Sequence, residues 1–404
     1  MTRNTHSNGS SAKPRRVAVA IELDYLYPWH IDCYQGILAY AGEHDWTCVV
    51  DPYLVGMTGR SDVSEYDGVV GRIDESVARA AREHGIPVVN HWQNSPVLDL
   101  PSVQLNHRES ARLAGEHLVA CGYQRFAHIG IASQVVATLD REGLTDAVTA
   151  HGFAPPVGFE FEHDFEARRE SVVHLRRVLT SWLDSLTQPV GVLVQSAVAA
   201  RYLAQICAEM GLSVPHEVGI VVQLGDSVLV LAASPTLSAI DSDYFGMGYE
   251  SAAMLDTLMR GETLESNERQ IPSTRLIVRE SSDFYLSNDP LVTEAMRYIA
   301  DHCRQTLRVE ELAAAINTSR RTLERRFEQI LGKSVYSEIT RLRTEYVKRL
   351  LVETDHPLAT IARDCGFSSA SHFTRYFSKE AGLTPSAFRQ KHQLGVERRR
   401  GAPA

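Results

Sequence analysis

From Arg15 the chain alternates short, wholly apolar runs with stretches in which apolar side chains recur every three or four residues. Val17–Ile21, Thr47–Val50, Gly68–Val70 and Pro87–Asn90 are runs of the first kind and predict strands. Between the first two, Tyr34, Ile37, Leu38 and Ala41 share one side of a helix predicted around Ile31–Glu43. Strands that are apolar on both faces must be covered on both, so the alternation predicts a parallel, doubly wound sheet. The pattern then restarts. It predicts a helix over Glu109–Cys121, a strand at Phe126–Gly130, a helix near Arg141–His151, strands at Val190–Val194 and Gly219–Val222, and helices over Val198–Met210 and Gly248–Arg260. Two successive α/β lobes fit this restart better than one long sheet, with a crevice for a small molecule between them at the strand carboxyl ends. Ser102–His107, Leu237–Asp243 and Arg275–Arg279 are candidate crossings between the lobes.

Past Pro290 only helical periods remain. Residues 309–330 and 357–380 share one internal grammar. In each, a short helix (Leu312, Ala313, Ile316; Leu358, Ile361, Ala362) meets a tight turn (Asn317-Thr318; Cys365-Gly366-Phe367), and a serine (Ser319; Ser369) sits where an N-cap opens a second helix. Leu323 with Phe327, and Phe373 with Phe377, fall four apart and can be buried. That leaves Arg320, Arg321, Glu324, Arg325 and Glu328 outside on one helix, and Ser371, His372, Arg375 and Lys379 outside on the other. A single helix of this kind would fit a solvated face of any bundle, whereas two with matched turns point to paired helix-turn-helix units reading double-stranded DNA. Between them, Val335–Val352 carries Ile339, Leu342, Tyr346, Leu350 and Leu351 as an apolar stripe. A rod of this kind would hold recognition helices about 34 Å apart, one turn of duplex.

Charge sharpens the division. The 404 residues carry a net −9, yet residues 291–404 hold 20 Lys+Arg against 13 Asp+Glu, a net +7, which leaves −16 on the rest. Only the C-terminal part suits a polyanion. No apolar run of about 18 residues occurs, and the polar first 14 residues lack a signal core, so we expect a disordered tail over 1–14, no membrane association and a cytoplasmic location. The six cysteines lie far apart without paired spacing, which favours buried thiols over disulfides or zinc. Gly225-Asp226-Ser227 lacks a His/Asp constellation at a known spacing, Gly246-Met-Gly248 lacks a third glycine, and Asp241-Ser-Asp243 lacks further ligands. No catalytic, cofactor or metal site is therefore expected, and an enzyme fused to a DNA-binding domain is the weaker reading.

Residues 291–390 resemble the DNA-binding domain of the AraC/XylS family. The resemblance is carried by Leu312-Ala313, Ser319, Leu323, Arg325, Phe327, Ile339, Leu342, Arg343, Ala362, Gly366-Phe367, Phe373, Arg375, Phe377, Gly382, Pro385 and Phe388-Arg389. It implies that Arg321, Glu324 and Arg325 of the first recognition helix, and Ala370, Ser371, His372 and Arg375 of the second, face bases or backbone. Ala370 departs from the usual polar residue, which implies looser reading by the second helix. Residues 284–290 would be a linker, and 391–404, with Arg398-Arg-Arg400, a basic tail.

Residues 15–283 resemble the sugar-sensing domain of the LacI/GalR type, itself similar to periplasmic binding proteins. The phrases that carry it, in order, are Tyr66-Asp-Gly-Val-Val70, Gly85-Ile-Pro-Val-Val89, Asn106 with Leu113-Ala-Gly-Glu-His-Leu118, Gly122-Tyr with Phe126-Ala-His-Ile-Gly130, Arg141-Glu-Gly143 and Gly211-Leu-Ser-Val-Pro215. The implied architecture is a two-lobed α/β sensor followed by an all-α double helix-turn-helix domain. Arg141 would match the family's hydroxyl-binding arginine and Asn106 its usual aspartate, while Asp24 and Tyr25 would stand in the loop at the cleft mouth. Ser196-Ala197 replaces an Asn-Asp or Thr-Asp pair, and Val222-Gln223-Leu224-Gly225 replaces Gly-x-Asp, with Asp226 just beyond. Two acidic hydroxyl anchors are thus missing unless Asp226 shifts into place, which points to an effector other than the family's usual sugars, or to a sensor that has lost one. The resemblance implies an effector-responsive, homodimeric activator of carbohydrate-utilisation genes, with RNA polymerase as a further candidate partner; repression stays open.

Overall fold

The computed structural model describes residues 14–21, 28–51, 54, 63–161, 169–225, 227–272, 275–283, 289–302, 307–354 and 356–390. The chain forms two compact units, one of residues 1–119 and 124–282, the other of residues 120–123 and 283–404.

In the first unit, strands β1 (Arg15–Ala20), β2 (Trp46–Val50), β3 (Gly68–Gly71), β4 (Val88–Asn90) and β5 (Ser102–Leu105) alternate with helices α1 (Pro28–Glu43) and α2 (Glu75–His84). The chain continues through α3 (His107–Ala120), β6 (Phe126–Ile131), α4 (Val135–Ala150), β7 (Val157–Phe161), α5 (Arg169–Ser185), β8 (Val190–Ser196), α6 (Ala197–Glu209), β9 (Val218–Leu224), α7 (Ser227–Leu231) and β10 (Ser238–Asp241). Helix α8 (Tyr244–Met259) and strands β11 (Glu268–Ile271) and β12 (Arg275–Ile277) complete the unit. Two six-stranded sheets result, ordered β11-β5-β4-β3-β1-β2 and β12-β10-β9-β8-β6-β7. Among the described residues every pairing is parallel except β10 with β12. The central strands are buried on both faces, as their unbroken apolar runs require: Val17, Ala18, Val19 and Ala20 in one sheet, Val192, Leu193 and Val194 in the other.

The chain passes between lobes three times. After β5, Asn106 turns it into α3, its side-chain oxygen accepting from the Glu109 amide at 3.0 Å. After β10, Asp243 accepts from the Gly246 amide at 2.7 Å and opens α8, which returns to the first sheet. The third passage comes after β11, which ends at Ile271, and ahead of most of the expected Arg275–Arg279, because Arg275–Ile277 already pairs with β10. Helix α4 likewise starts at Val135, earlier than the apolar period near Arg141–His151 suggests. Helices α1 and α8 meet backbone to backbone: a Cβ on Gly36 would strike the Phe245 carbonyl oxygen, and one on Gly248 the Cys33 carbonyl oxygen.

The second unit is helical: α9 (Pro290–His302), α10 (Val309–Ala315), α11 (Arg320–Leu331), α12 (Val335–Glu353), α13 (Leu358–Asp364) and α14 (Ala370–Ala381). One core joins Leu312, Ile316, Leu323 and Phe327 to Val292, Ile299, Ile339 and Leu342. The other joins Val347, Leu351, Ile361, Phe367, Phe373 and Phe377. Helix α12 contributes to both, and its 19 residues span about 28 Å.

Candidate nucleic-acid interface and ligand cleft

The two helix-turn-helix units repeat atom by atom. Asn317 (φ 52) and Gly366 (φ 70) supply the left-handed residue of each turn. The following amide closes it in the same way, Thr318 onto the Ala313 carbonyl and Phe367 onto the Ala362 carbonyl, both at 2.9 Å. Ser319 then accepts from the Thr322 amide and Ser369 from the His372 amide, both at 3.1 Å, so α11 and α14 start from equivalent caps.

With Leu323, Phe327, Phe373 and Phe377 buried, the polar faces of α11 and α14 are turned outward. Arg321, Arg325, Ser371 and Arg375 are exposed, and the three arginines make no hydrogen bond or ion pair among the described residues. Arg320 is differently placed, since it bridges Glu310 and, at 2.8 Å, Glu324. Arg326 pairs with Asp289 at 3.1 Å, and Lys379 lies 3.7 Å from Glu380. His372 Nδ1 sits 3.2 Å from the Ser368 hydroxyl, its ring edge-on to Phe367. Three unengaged guanidinium groups on two capped helices are what base edges and phosphates call for.

Two arginines of the family pattern brace the fold. Arg343, on α12, donates to the Cys365 carbonyl at 2.5 Å and lies 3.9 Å over the Phe367 ring, fixing the second turn to the rod. Arg389 donates to the carbonyls of Leu351 (3.2 Å) and His356 (2.7 Å), securing the carbonyls where α12 ends.

In the first unit, a cleft of about 240 Å³ opens between the lobes. Trp29, Arg72, His91, Trp92, Gln93 and Gln104 line it from one side, Gln134, Gln195, Ser196, Ala197 and Leu224 from the other, with His107 and Tyr244 at the crossings. The Arg72 guanidinium stacks 4.7 Å from the Trp92 ring centroid. Gln195 is held on both sides: its carbonyl oxygen accepts from the Ile131 amide at 2.8 Å, and its amide donates to Gln134 at 2.6 Å. Burial lowers His91 to about 3, with His30 and Arg72 adding to the effect, and lowers His107 to about 4, so both imidazoles are neutral near pH 7. Indole faces among amides and neutral imidazoles can hold a hydroxylated ring.

The expected ligand residues scatter. Ser196 lines the cleft and caps α6, accepting from the Ala199 amide at 3.2 Å. Asn106 is spent on capping α3 and is not part of the cleft wall. Arg141 does not line the cleft either: it is exposed on the outer side of α4 and pairs with Glu160 at 2.8 Å. Its neighbour Asp140 is the residue turned inward, fully buried. The reason is helical phase, since residues one apart point about 100° away from each other. Asp24, Tyr25 and Asp226 lie outside the described residues. Reading the sequence for carboxylates missed Gln104 and Gln195, which line the cleft, and Gln223, which stands behind His107. Their signal was a glutamine near the carboxyl end of an otherwise apolar strand (SVQL, VGVLVQS, VGIVVQL), where such sheets bind ligands.

A two-lobed α/β clamshell followed by paired helix-turn-helix units defines a DNA-binding transcriptional regulator with a periplasmic-binding-protein-like sensor. Residues 116–282 match the periplasmic binding protein-like domain family and residues 312–391 a helix-turn-helix domain family. The Xylose operon regulatory protein of Escherichia coli K12 is 26% identical over 333 residues, covering 80% of this chain and 83% of that protein. Its counterpart in Haemophilus influenzae is 24% identical, covering 86% and 91%. A solved structure of the xylose-binding transcription activator xylR superposes with a TM-score of 0.70 at 21% identity over 94% of this chain and 99% of that one, a likeness of fold. Over most of its length the chain is similar to the xylose operon regulators, with a periplasmic-binding-protein-like sensor ahead of a helix-turn-helix domain. Among the described residues, no helix is long and apolar enough to cross a membrane.

Proposed function

We propose that the chain is a cytoplasmic activator of carbohydrate-utilisation genes, without enzymatic activity, that binds specific duplex sites as a homodimer and answers to a sugar-like effector held in the interlobe cleft. The observation that carries the DNA half is the pair of identically capped helices with Arg321, Arg325 and Arg375 unengaged on their outer faces. Ser319, Arg320, Glu324, Ser369, Ser371, His372 and Lys379 complete the surface we assign to DNA. The effector half is supported by a cleft of indoles, amides and neutral imidazoles, which Ser196, alone of the expected residues among those described, also lines. The relatives named for the xylose operon suggest the same class of ligand.

A second copy of the chain is the partner we assign to Ile31 and Leu38, which share one face of α1 at 42% and 41% exposure. Contact with RNA polymerase belongs to this reading as an activator. Footprinting of the upstream region with the full chain, with and without a panel of pentoses, hexoses, sugar alcohols and uronates, tests it. The expected result is salt-sensitive protection of paired or repeated sites that one class of ligand strengthens or shifts. Absence of any protected site would end the DNA assignment, and protection indifferent to every ligand would end the effector assignment.

A further inference from the structure

At the first crossing, His107 stands between two side chains that neither cap nor pack in the ordinary sense. Gln223, on β9, donates to the His107 carbonyl at 3.1 Å, and the same amide nitrogen lies 3.5 Å from His107 Nδ1. The bond to a carbonyl fixes which end of the Gln223 amide is nitrogen, leaving Oε1 buried without a hydrogen-bond partner among the described residues. Asp140, fully buried on α4, has Oδ1 3.8 Å from the same Nδ1, and neither of its oxygens has a hydrogen-bond partner among the described residues. Burial pushes this carboxyl well above its ordinary range, toward the protonated form. The Gln223 amide therefore presents hydrogen to Nδ1, which makes Nδ1 the acceptor and puts the ring N–H on Nε2, while Asp140 stands on the same side of the ring beyond hydrogen-bond reach. His107 is itself 7% exposed, and it lines the cleft.

Buried polar groups without partners are costly, and several gathered round one cleft residue mark a place where a ligand or a functional constraint compensates. We propose that His107 is an effector-contacting residue that donates from Nε2 to a hydroxyl of an uncharged polyol, a sugar or sugar alcohol, and that Asp140 and Gln223 are its positioning residues. This rests on the effector reading above and deepens it. The class follows from complementarity. His107 offers a donor, while the nearby cleft atoms Gln93 Oε1 and His91 Nε2 are also without a hydrogen-bond partner. A hydroxyl both donates and accepts, and so serves such a mixture; a carboxylate only accepts, and would leave the Gln93 oxygen without a donor.

The test is calorimetric titration of the full chain and its variants against neutral pentoses and hexoses, sugar alcohols and uronates, with thermal melts of each ligand-free protein. For the sugar or sugar alcohol that binds the wild type, His107→Ala should weaken affinity roughly 10- to 100-fold, the loss of one buried hydrogen bond. His107→Gln, which keeps a donor near Nε2, should recover part of it. Asp140→Asn should weaken affinity several-fold while the ligand-free protein melts no lower than wild type, because an unpartnered buried acid has been removed. Wild-type affinity in His107→Ala and His107→Gln, lowered ligand-free melting in Asp140→Asn with affinity intact, or uronates binding more tightly than neutral sugars would each overturn the inference. Silence of the wild type toward the whole panel would instead overturn the effector reading on which it stands.

Discussion

Arg343→Lys separates charge from geometry at the joint between rod and second helix-turn-helix unit. Lysine keeps the charge but loses the planar fork that both donates to the Cys365 carbonyl and stacks over Phe367 at 3.9 Å, with Tyr376 at 5.6 Å. A charge-assisted hydrogen bond contributes about 1.5–3 kcal/mol and a partly desolvated cation–π contact about 0.5–2 kcal/mol. Some of each is recoverable by an ammonium group, so the net loss should be about 2 kcal/mol. That loss is local, because Arg343 holds the second turn while the first core, around Phe327, does not depend on it. Hydrogen exchange followed by mass spectrometry on the full chain reads it directly. Protection over 358–381 should fall roughly 30-fold, at about 1.4 kcal/mol per factor of ten, while 320–331 keeps its protection. Footprints should lose the half-site of the second unit first. Unchanged exchange over 358–381 together with an intact double footprint would refute the brace.

Three further predictions address the surface, the helix pair and the buried histidines. Arg325→Ala and Arg375→Ala should each cost about 1–3 kcal/mol of specific DNA binding in anisotropy titrations without lowering the melting temperature, whereas Arg320→Ala, already engaged by Glu310 and Glu324, should cost less; equal losses from all three would sink the distinction. Gly248→Ala drives a methyl group into the Cys33 carbonyl and should destabilise the sensor unit by about 3 kcal/mol in urea titrations, while Gly42→Ala, with open space around it, should be neutral or slightly stabilising; similar midpoints for the two would contradict the close packing of α1 and α8. Burial holds His91 at about 3 and His107 and His128 at about 4, against 6.5 when unfolded. Below pH 6.5 the unfolded chain gains protons that the folded one refuses, so their contribution is complete above that pH and is lost as pH falls toward 4. At pH 5 the loss is about 2 kcal/mol per histidine, with the raised Asp140 carboxyl working in the opposite direction. A urea midpoint that stays level from pH 7.5 to 5 would count against this.

The order of elements was legible in the chain because apolar periodicity is local. Unbroken runs such as Val17–Ile21 and Val190–Val194 can only be strands covered on both faces, and the spacing of Leu323 with Phe327 and of Phe373 with Phe377 can only bury one side of a helix. The same holds for the double helix-turn-helix: its signal lies in serines, turns and arginines within about twenty residues of one another, so recognition helices and their outward residues could be read directly. Faint or mixed periods were not readable, and α2, β7 and α5 went unpredicted.

The cleft belongs to the other category. Its wall gathers Trp29, His107, Gln195 and Tyr244, separated by scores of residues and brought together by three crossings whose ends only the two sheets decide. Helical phase, invisible without the start of α4, turned Asp140 inward and Arg141 out, reversing an expectation based on residue type. Sequence alone therefore determined that this chain has a two-lobed α/β part and a part made to meet DNA. Which side chains line the cleft was decided by tertiary structure, because a cleft is a coincidence of distant residues and its chemistry depends on orientation as much as on composition.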